Sequence, residues 1–152
     1  MNKPAILAAI QKSLAEELEA LTRGARASFA AATDPDSRAE NKYDTRTLEA
    51  SYVARGQAQR VAELQEAVHQ YEALARNLPA GEPVRPGTLV TLDGGHVHFI
   101  GPAAGGTEVV VEDQEVLVLT PASPLGQKLI GKRAGDVVQL AGGQAFRISA
   151  VE

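Results

Sequence analysis

Apolar residues in the first half of the chain recur at spacings of three and four, the period of one face of an α-helix. One such stripe runs from Leu7 to Phe29 and a second from Leu48 to Leu78. A single solvated helix would leave its stripe in water, so consecutive stripes predict an antiparallel coiled-coil hairpin that buries both. The stripe residues are Leu7, Ile10, Leu14, Leu18, Leu21, Ala25 and Phe29, then Leu48, Tyr52, Val61, Leu64, Val68, Tyr71, Leu74 and Leu78.

Helix-start signals lie in the break between the two stripes. Asp34 before Pro35 suits an N-cap followed by proline at the first helical position, and Ser37 with Glu40 forms a capping box. Both predict a turn near Pro35 and Asp36, which places Val61 opposite Ile10. The second helix then extends past the first, and its last apolar residues are expected to pack on the second half of the chain. These residues are Tyr71, Leu74 and Leu78.

In the second half of the chain the apolar residues no longer follow a helical period. After a Pro/Gly linker at 79–85 come short β-branched runs separated by the turn signals Asp93-Gly94-Gly95 and Gly142-Gly143. The predicted strands are Thr88–Leu92, His96–Ile100, Thr107–Val111, Val116–Leu119, Val137–Leu140 and Phe146–Val151. These runs predict a small antiparallel sheet.

One helix is predicted to interrupt these strands. Ser123 is its N-cap, Pro124 its first residue and Gly131 its stop. The apolar residues predicted to face inward are Leu125, Leu129 and Ile130. The fold class is therefore α+β, with a hairpin over 1–78, a tip near 34–44, a linker at 79–85 and a sheet domain with one helix over 86–152.

Composition narrows the class of protein. The chain has 152 residues, 44% apolar and 22% charged, which is an ordinary globular composition. A net charge of −4 disfavours duplex DNA and anionic membranes as partners, and no segment has the roughly 20 apolar residues of a membrane span. There is no cysteine, so disulfides and thiolate metal sites are excluded. We expect a soluble, cytoplasmic, monomeric protein.

Carboxylates are concentrated at the predicted hairpin tip, where they contribute little to a core. The segment between the stripes carries four of them: Asp34, Asp36, Glu40 and Asp44. Glu40 and Asp34 also have plain structural interpretations as caps. Acids on a thin helical support are suited to delivering metal ligands to a partner, because Mg²⁺ prefers carboxylate and phosphate oxygens.

The segment SPLGQKLIGKRAGDVVQL, from Ser123 to Leu140, followed by a glycine turn and a closing strand, resembles the C-terminal domain of bacterial transcript cleavage (Gre) factors. The resemblance covers nearly the whole chain, since that family joins a coiled-coil hairpin with an acidic tip to an FKBP-like sheet domain. It implies a non-enzymatic transcription elongation factor that binds RNA polymerase. The hairpin would enter the secondary channel and stimulate cleavage of backtracked RNA.

The resemblance also implies roles for particular residues. Asp36 and Glu40 would act in the polymerase active site and hold a Mg²⁺ shared with the polymerase, with Asp34 and Asp44 as second choices, and the protein would have no cofactor of its own. Contacts with the polymerase or the transcript RNA are assigned to Asn41, Tyr43, Arg38, Lys42, Lys128, Lys132 and Arg133.

Two alternatives remain open. The family's tip pattern is D-x-x-E-N-x-x-Y, and alignment on Glu40-Asn41 leaves Asp36 one residue too distant and Tyr43 one too near. The first alternative is therefore a secondary-channel regulator or inhibitor that does not stimulate cleavage. The second is a prolyl isomerase or chaperone, although only Phe99 and Phe146 supply aromatic rings after the linker. His96 and His98 share a strand face and could hold a metal, but a plain surface pair is the favoured interpretation.

Overall fold

The computed structural model describes residues 1–33 and 46–152, without the side chains of Ala32 and of residues 46–52. Two long helices are present, α1 (Lys3–Thr33) and α2 (Arg46–Arg76). The chain divides into two compact units. A helical unit comprises Leu14–Glu66, and a globular unit comprises Met1–Ser13 with Ala67–Glu152, so each helix contributes to both. In the described part of the chain, no helix is long and apolar enough to cross a bilayer.

The helical unit is an antiparallel pair, as the stripes predicted. Arg60 of α2 forms an ion pair with Glu17 of α1 at 3.2 Å. Further along, a Cβ placed on Gly24 would lie 3.4 Å from Gln57 Nε2. The predicted turn near Pro35 would instead put Gln57 opposite Leu14, so the predicted register is wrong. Packing of the two stripes sets this register, whereas the capping signals report only local backbone preference.

The globular unit contains six strands and one short helix. They are β1 (Leu89–Leu92), β2 (Val97–Ile100), β3 (Glu108–Val111), β4 (Gln114–Leu119), α3 (Pro124–Leu129), β5 (Val137–Gln139) and β6 (Ala145–Val151). Each strand lies within two residues of its prediction. The predicted turns at Gly94-Gly95 and Gly143 join β1 to β2 and β5 to β6, and all three glycines have positive φ. The signals for strands and turns are therefore local.

The sheet is mixed, so its prediction as purely antiparallel is wrong at one pairing. The strand order is β3-β4-β2-β1-β6-β5, and β2 pairs with β4 in parallel, with His98 beside Leu117. After β2 the chain crosses to the sheet edge and forms β3. It then reverses in a tight turn at Glu112 and Asp113, and β4 lies between β3 and β2. A strand inserted in this way runs antiparallel to β3 and hence parallel to β2.

Both sheet faces carry buried residues. One core cluster packs around α3 and consists of Val84, Val90, Leu92, Ile100, Leu119, Leu129, Val138 and Ile148. Phe99 points to the opposite face, where its ring lies 6.4 Å from that of Tyr71 on α2. Leu74 reaches the glycine that precedes β1, because its Cδ1 lies 2.9 Å from the position of a Cβ on Gly87. The prediction that Tyr71 and Leu74 pack on the second half of the chain is confirmed.

The start of α1 belongs to the same unit. Ile6, Leu7 and Ile10 are buried, and the Lys3 ammonium donates a hydrogen bond to the Pro79 carbonyl. The first helix therefore reaches the segment that follows α2, and the expectation that α2 extends past α1 is wrong. This error follows from the wrong register. In the observed pairing each residue of α2 lies opposite a later residue of α1 than predicted, so the end of α2 lies beside the start of α1.

Candidate functional site

The sequence-predicted tip residues lie at 34–45, outside the described residues. They are the acids Asp34, Asp36, Glu40 and Asp44 and the contact candidates Arg38, Asn41, Lys42 and Tyr43. Their assigned roles stay predictions. The three remaining candidates, Lys128, Lys132 and Arg133, lie on or directly after α3.

Local chemistry positions α3 as the sequence predicted. Ser123 is extended, with φ −66° and ψ 153°, and its Oγ accepts a hydrogen bond from the Gly126 N–H at 3.1 Å. Pro124 occupies the first turn, where its missing N–H costs nothing. At the other end, Leu129 is buried in the core and Gly131 ends the helix with φ +79°. Ser123 and Leu129 together fix the face that α3 turns to solvent.

Ile130 departs from its predicted position. It was expected to face inward with Leu129, but it is 37% exposed. The helix ends at Leu129, and Ile130 has extended backbone angles of −53° and 131°, so the helical period no longer governs its direction. The exposed Ile130 joins Val137, which is also exposed, on the rim of a shallow cavity of about 340 Å³.

Two lysines flank this apolar rim. Lys128 and Lys132 both line the cavity, and the Lys128 ammonium donates to the Gln139 carbonyl on β5. Two ammonium groups around Ile130 and Val137 form a surface suited to an anionic partner with an apolar contact, which we call the α3 surface. Sequence reasoning found its lysines but missed its apolar members.

Arg133 has a structural role that the sequence did not indicate. Its guanidinium forms an ion pair with Glu82 at 3.2 Å, and the other Glu82 oxygen accepts from the Ala134 N–H at 2.8 Å. The Arg133 N–H also donates to Asp136 Oδ2 at 2.8 Å. These bonds hold the loop between α3 and β5 against the linker, and the role of Arg133 in contacting a partner stays a prediction.

The two histidines of β2 and the preceding turn have different environments. His96 is exposed, whereas His98 is 9% exposed between β1 and β4. The interpretation as a plain surface pair is therefore wrong for His98, because an interior strand has neighbours on both sides. No group of three or more His, Asp or Glu residues among the described residues could hold a metal ion.

Acidification is expected to destabilise the globular unit through His98. Burial lowers the pKa of His98, the neighbouring His96 lowers it further, and the nearby backbone of Leu117 raises it in part. The unfolded chain then takes up the proton first, so this contribution to stability is complete above about pH 6.5 and is lost as the pH falls below it. One proton gives a slope of at most about 1.4 kcal/mol per pH unit.

Urea unfolding at pH 7.5 and pH 5.0 measures this effect. We expect the His98→Gln variant to lose less stability on acidification than the parent protein. His69→Gln is the matched control, since His69 is exposed on α2 beside Glu72. Equal pH dependence in the parent and both variants would contradict the assignment.

The helical unit carries a second apolar surface. Ala25 and Phe29 of α1 and Ala54, Ala58 and Val61 of α2 line a groove of about 410 Å³. Phe29, predicted to lie in the buried seam, is 64% exposed at this groove. Among the described side chains of α2, only Ala54, Ala58 and Val61 line this groove, and they are too small to cover the ring. The sequence is consistent with this looser packing, because the second stripe has Arg55, Gly56 and Ala58 between Tyr52 and Val61.

No protein-family model and no curated protein sequence matches the chain. One similar solved structure is that of GreA factor homolog 1 (Gfh1) of Thermus thermophilus. It is 21% identical over 93% of this chain and 94% of that one, with a TM-score of 0.35. Gfh1 of Thermus aquaticus is 20% identical over 93% and 92%, with a TM-score of 0.33.

A further solved structure is described as the transcription factor Gfh1, with 20% identity over 95% of this chain and 94% of that one and a TM-score of 0.36. Similarity at this level does not assign a function.

Proposed function

We propose that this protein is a transcription factor that binds RNA polymerase and inserts its helical hairpin into the secondary channel. There it stimulates cleavage of backtracked transcripts, and it modulates the polymerase without being an enzyme itself. One observation carries the proposal. Two helices that pair antiparallel are joined by a segment holding four carboxylates, Asp34, Asp36, Glu40 and Asp44. We expect acids at such a junction to serve a partner and not a core.

The chemistry of the acids supports this role. Asp36 and Glu40 would supply carboxylate oxygens to a Mg²⁺ shared with the polymerase, and that ion would stabilise negative charge on the phosphodiester oxygens. The protein's own contribution is placement of these oxygens. A hydrogen-bonding Asn41 and Tyr43 beside Glu40 would orient them, and Arg38 and Lys42 would contact polymerase or transcript phosphates.

The globular unit would provide the affinity for polymerase. The α3 surface presents Lys128 and Lys132 around exposed Ile130 and Val137. An exposed apolar centre with a charged rim is typical of a protein-docking surface. Arg133 supports this surface through its ion pair with Glu82. The α3 segment itself folds as its capping signals predicted, with Ser123 as cap and Gly131 as stop.

RNA cleavage in halted, backtracked elongation complexes tests the proposal. Addition of the protein is expected to accelerate release of the short 3′ RNA fragment. The Asp36→Asn and Glu40→Gln variants should reduce that acceleration by about a hundredfold or more, because a neutral amide is a weaker Mg²⁺ ligand than a carboxylate and losing one group that stabilises transition-state charge costs this much. Both variants should bind polymerase with unchanged affinity.

Matched controls separate the roles of the two units. Glu63→Gln removes one carboxylate from the exposed side of α2 and should leave both cleavage and binding unchanged. The Lys128→Ala, Lys132→Ala double variant should weaken polymerase binding instead. Loss of binding in the Asp36→Asn or Glu40→Gln variants would show that the tip acids act in docking.

A second candidate function is supported by the tip spacing. Relative to Glu40-Asn41, Asp36 is one residue further away than in the family pattern, and one residue turns a helical side chain by about 100°. A factor with that offset would occupy the secondary channel and inhibit nucleotide addition without stimulating cleavage. Slower addition with no cleavage product in the same experiment would select this function.

The isomerase alternative has little structural support. Phe99 is wholly buried against Tyr71, and Phe146 packs on the core cluster. Of the two rings after the linker, Phe99 is thus unavailable to an open proline pocket, and the half-buried Phe146 is a single ring. A shared fold would not carry that activity by itself.

A further inference from the structure

A cavity of about 450 Å³ opens on the sheet face formed by β2, β4 and β3. Strand register aligns His98, Leu117 and Glu108 across this face. The residues two positions before or after them, including His96 and Glu115, project to the same side because side chains alternate along a strand. Leu117 thus forms an apolar floor, and Glu108 and Glu115 stand beside it.

The charge of this region has one sign. From Pro86 to Gln127 the chain contains no lysine and no arginine, although the whole protein has 15 of them. The same stretch has five acids: Asp93, Glu108, Glu112, Asp113 and Glu115. Three of these acids follow Glu108 within the β3–β4 hairpin. A cationic partner therefore meets attraction from every charged side chain of this hairpin.

The edge of the sheet adds backbone groups to this surface. β3 is the outermost strand in the described sheet. The Val118 N–H donates to the Thr107 carbonyl at 2.8 Å, and antiparallel pairs alternate between bonded and non-bonded. This alternation turns the N–H and C=O groups of Glu108 and Val110 away from β4, toward the open edge. Val110 is 65% exposed there.

His98 supplies an independent sign that the surface is incomplete. It lines the cavity and is 9% exposed, yet its Nδ1 has no hydrogen-bond partner in the described part of the chain. Buried polar atoms in folded proteins are normally satisfied, and an exception indicates a missing ligand, water or partner.

We infer that this face docks an extended, basic segment of a partner protein, which adds a strand beside β3. Backbone groups of Glu108 and Val110 would bond the added strand. An arginine of the added strand that pairs with Glu108 would also reach Glu115 and the cavity, because cross-strand neighbours on one sheet face lie close together. Two residues away, an apolar side chain would cover Val110. The inference is independent of the proposed polymerase activity.

Acids on an edge strand also have a purely protective role, since charge at an open edge discourages pairing with other chains. The two roles differ in their response to a basic strand. Protective acids repel acidic strands and disfavour neutral ones through the cost of burying a charge, and they create no site. A docking face binds basic strands at a defined register and loses that binding when its own two acids are neutralised.

A synthetic peptide with the alternating sequence Thr-Arg-Thr-Val-Thr-Arg-Thr, labelled with fluorescein, is the probe. Its binding to the full chain is measured by fluorescence anisotropy at low salt. The Glu108→Gln, Glu115→Gln double variant should weaken binding about tenfold or more, because charge-assisted hydrogen bonds are lost. Glu112→Gln, which removes the same charge from the turn outside the cavity lining, should change it less than about twofold.

Two further peptides test the geometry. Replacing both arginines by glutamate should abolish binding, and replacing the central valine by proline should weaken it at least as much as the double variant does, because proline cannot complete a strand. Amide resonances of β3 should shift on addition of the parent peptide. Equal effects of Glu112→Gln and the double variant, or full binding of the proline peptide, would overturn the inference. Failure of the parent peptide to bind would overturn it as well.

Discussion

Replacing Gly126 by alanine is expected to destabilise the globular unit by roughly 3 kcal/mol or more, at the upper end of what overpacking costs. A Cβ at this position would lie 1.9 Å from the Thr120 carbonyl oxygen and 2.6 Å from Ser123 Oγ. The Thr120 carbonyl cannot yield easily, because it accepts from the Ser123 N–H at 3.0 Å and from Ser123 Oγ at 2.8 Å. Relieving the clash therefore requires the cap of α3 to open.

Alanine normally stabilises a helix by about 1 kcal/mol relative to glycine. A lower free energy of unfolding in the Gly126→Ala variant would therefore come from the clash and not from helix propensity. Gly142→Ala is the matched control, since nothing lies within 4 Å of its Cβ position. Urea unfolding should place that control within about 0.5 kcal/mol of the parent. A Gly126→Ala protein as stable as the control would contradict the close packing of α3 on the preceding loop.

Truncating Tyr71 to alanine is expected to cost about 3–5 kcal/mol, the range for a large buried ring. Tyr71 has no exposed surface, and its hydroxyl donates to the Ala103 carbonyl at 2.9 Å. Gly101 makes room for it, since a Cβ there would meet the hydroxyl oxygen at 2.1 Å. Burial also raises the pKa of Tyr71 well above its ordinary value, which keeps the hydroxyl protonated as a donor.

Tyr71→Phe separates the ring from its hydroxyl. It keeps the stacking on Phe99 and leaves the Ala103 carbonyl without its donor, at an expected cost of about 1–3 kcal/mol. Phe29→Ala, an aromatic truncation at an exposed position, should change the free energy of unfolding by less than about 0.5 kcal/mol. If Tyr71→Ala and Phe29→Ala unfold at the same urea concentration, Tyr71 does not anchor α2 to the sheet.

Sequence reasoning succeeded where the determining interactions are local. Gly94 and Gly143 predicted their hairpins correctly because a positive φ favours glycine. Ser123 and Pro124 predicted the start of α3 because both residues suit the first turn of a helix. These features depend on neighbours within a few residues of sequence. The six strands and the helical pair followed from hydrophobic period in the same way.

The wrong predictions concern features that depend on residues far apart in the sequence. Parallel pairing of β2 with β4 depends on β3 taking the sheet edge first, which no short window of sequence encodes. The helical register depends on complete stripes, so a turn placed at Pro35 misaligned Gln57. His98 was taken for a surface residue because the neighbours that bury it, Val90 and Leu117, come from other strands.

The candidate site was predicted in part. The lysines of the α3 surface were identified from the resemblance, but Ile130 was assigned to the core because the helical pattern was continued one residue too far. The docking face on β3 could not be predicted, since Glu108, Glu115 and His98 come together only through strand order. The absence of basic residues from 86 to 127 was visible in the sequence and was the available signal.

The division of the chain into units has a consequence for its synthesis. Residues Met1–Ser13 leave the ribosome before the rest of their unit exists, because they fold with Ala67–Glu152, which are made later. At about 5–20 residues per second, synthesis of that later part takes roughly 4 to 17 s. During this interval Ile6, Leu7 and Ile10 lack the surroundings that bury them, while Leu14–Glu66 already contains both halves of its own pairing. The nascent chain therefore exposes an apolar helix segment, which chaperones can bind until Ala67–Glu152 have been made.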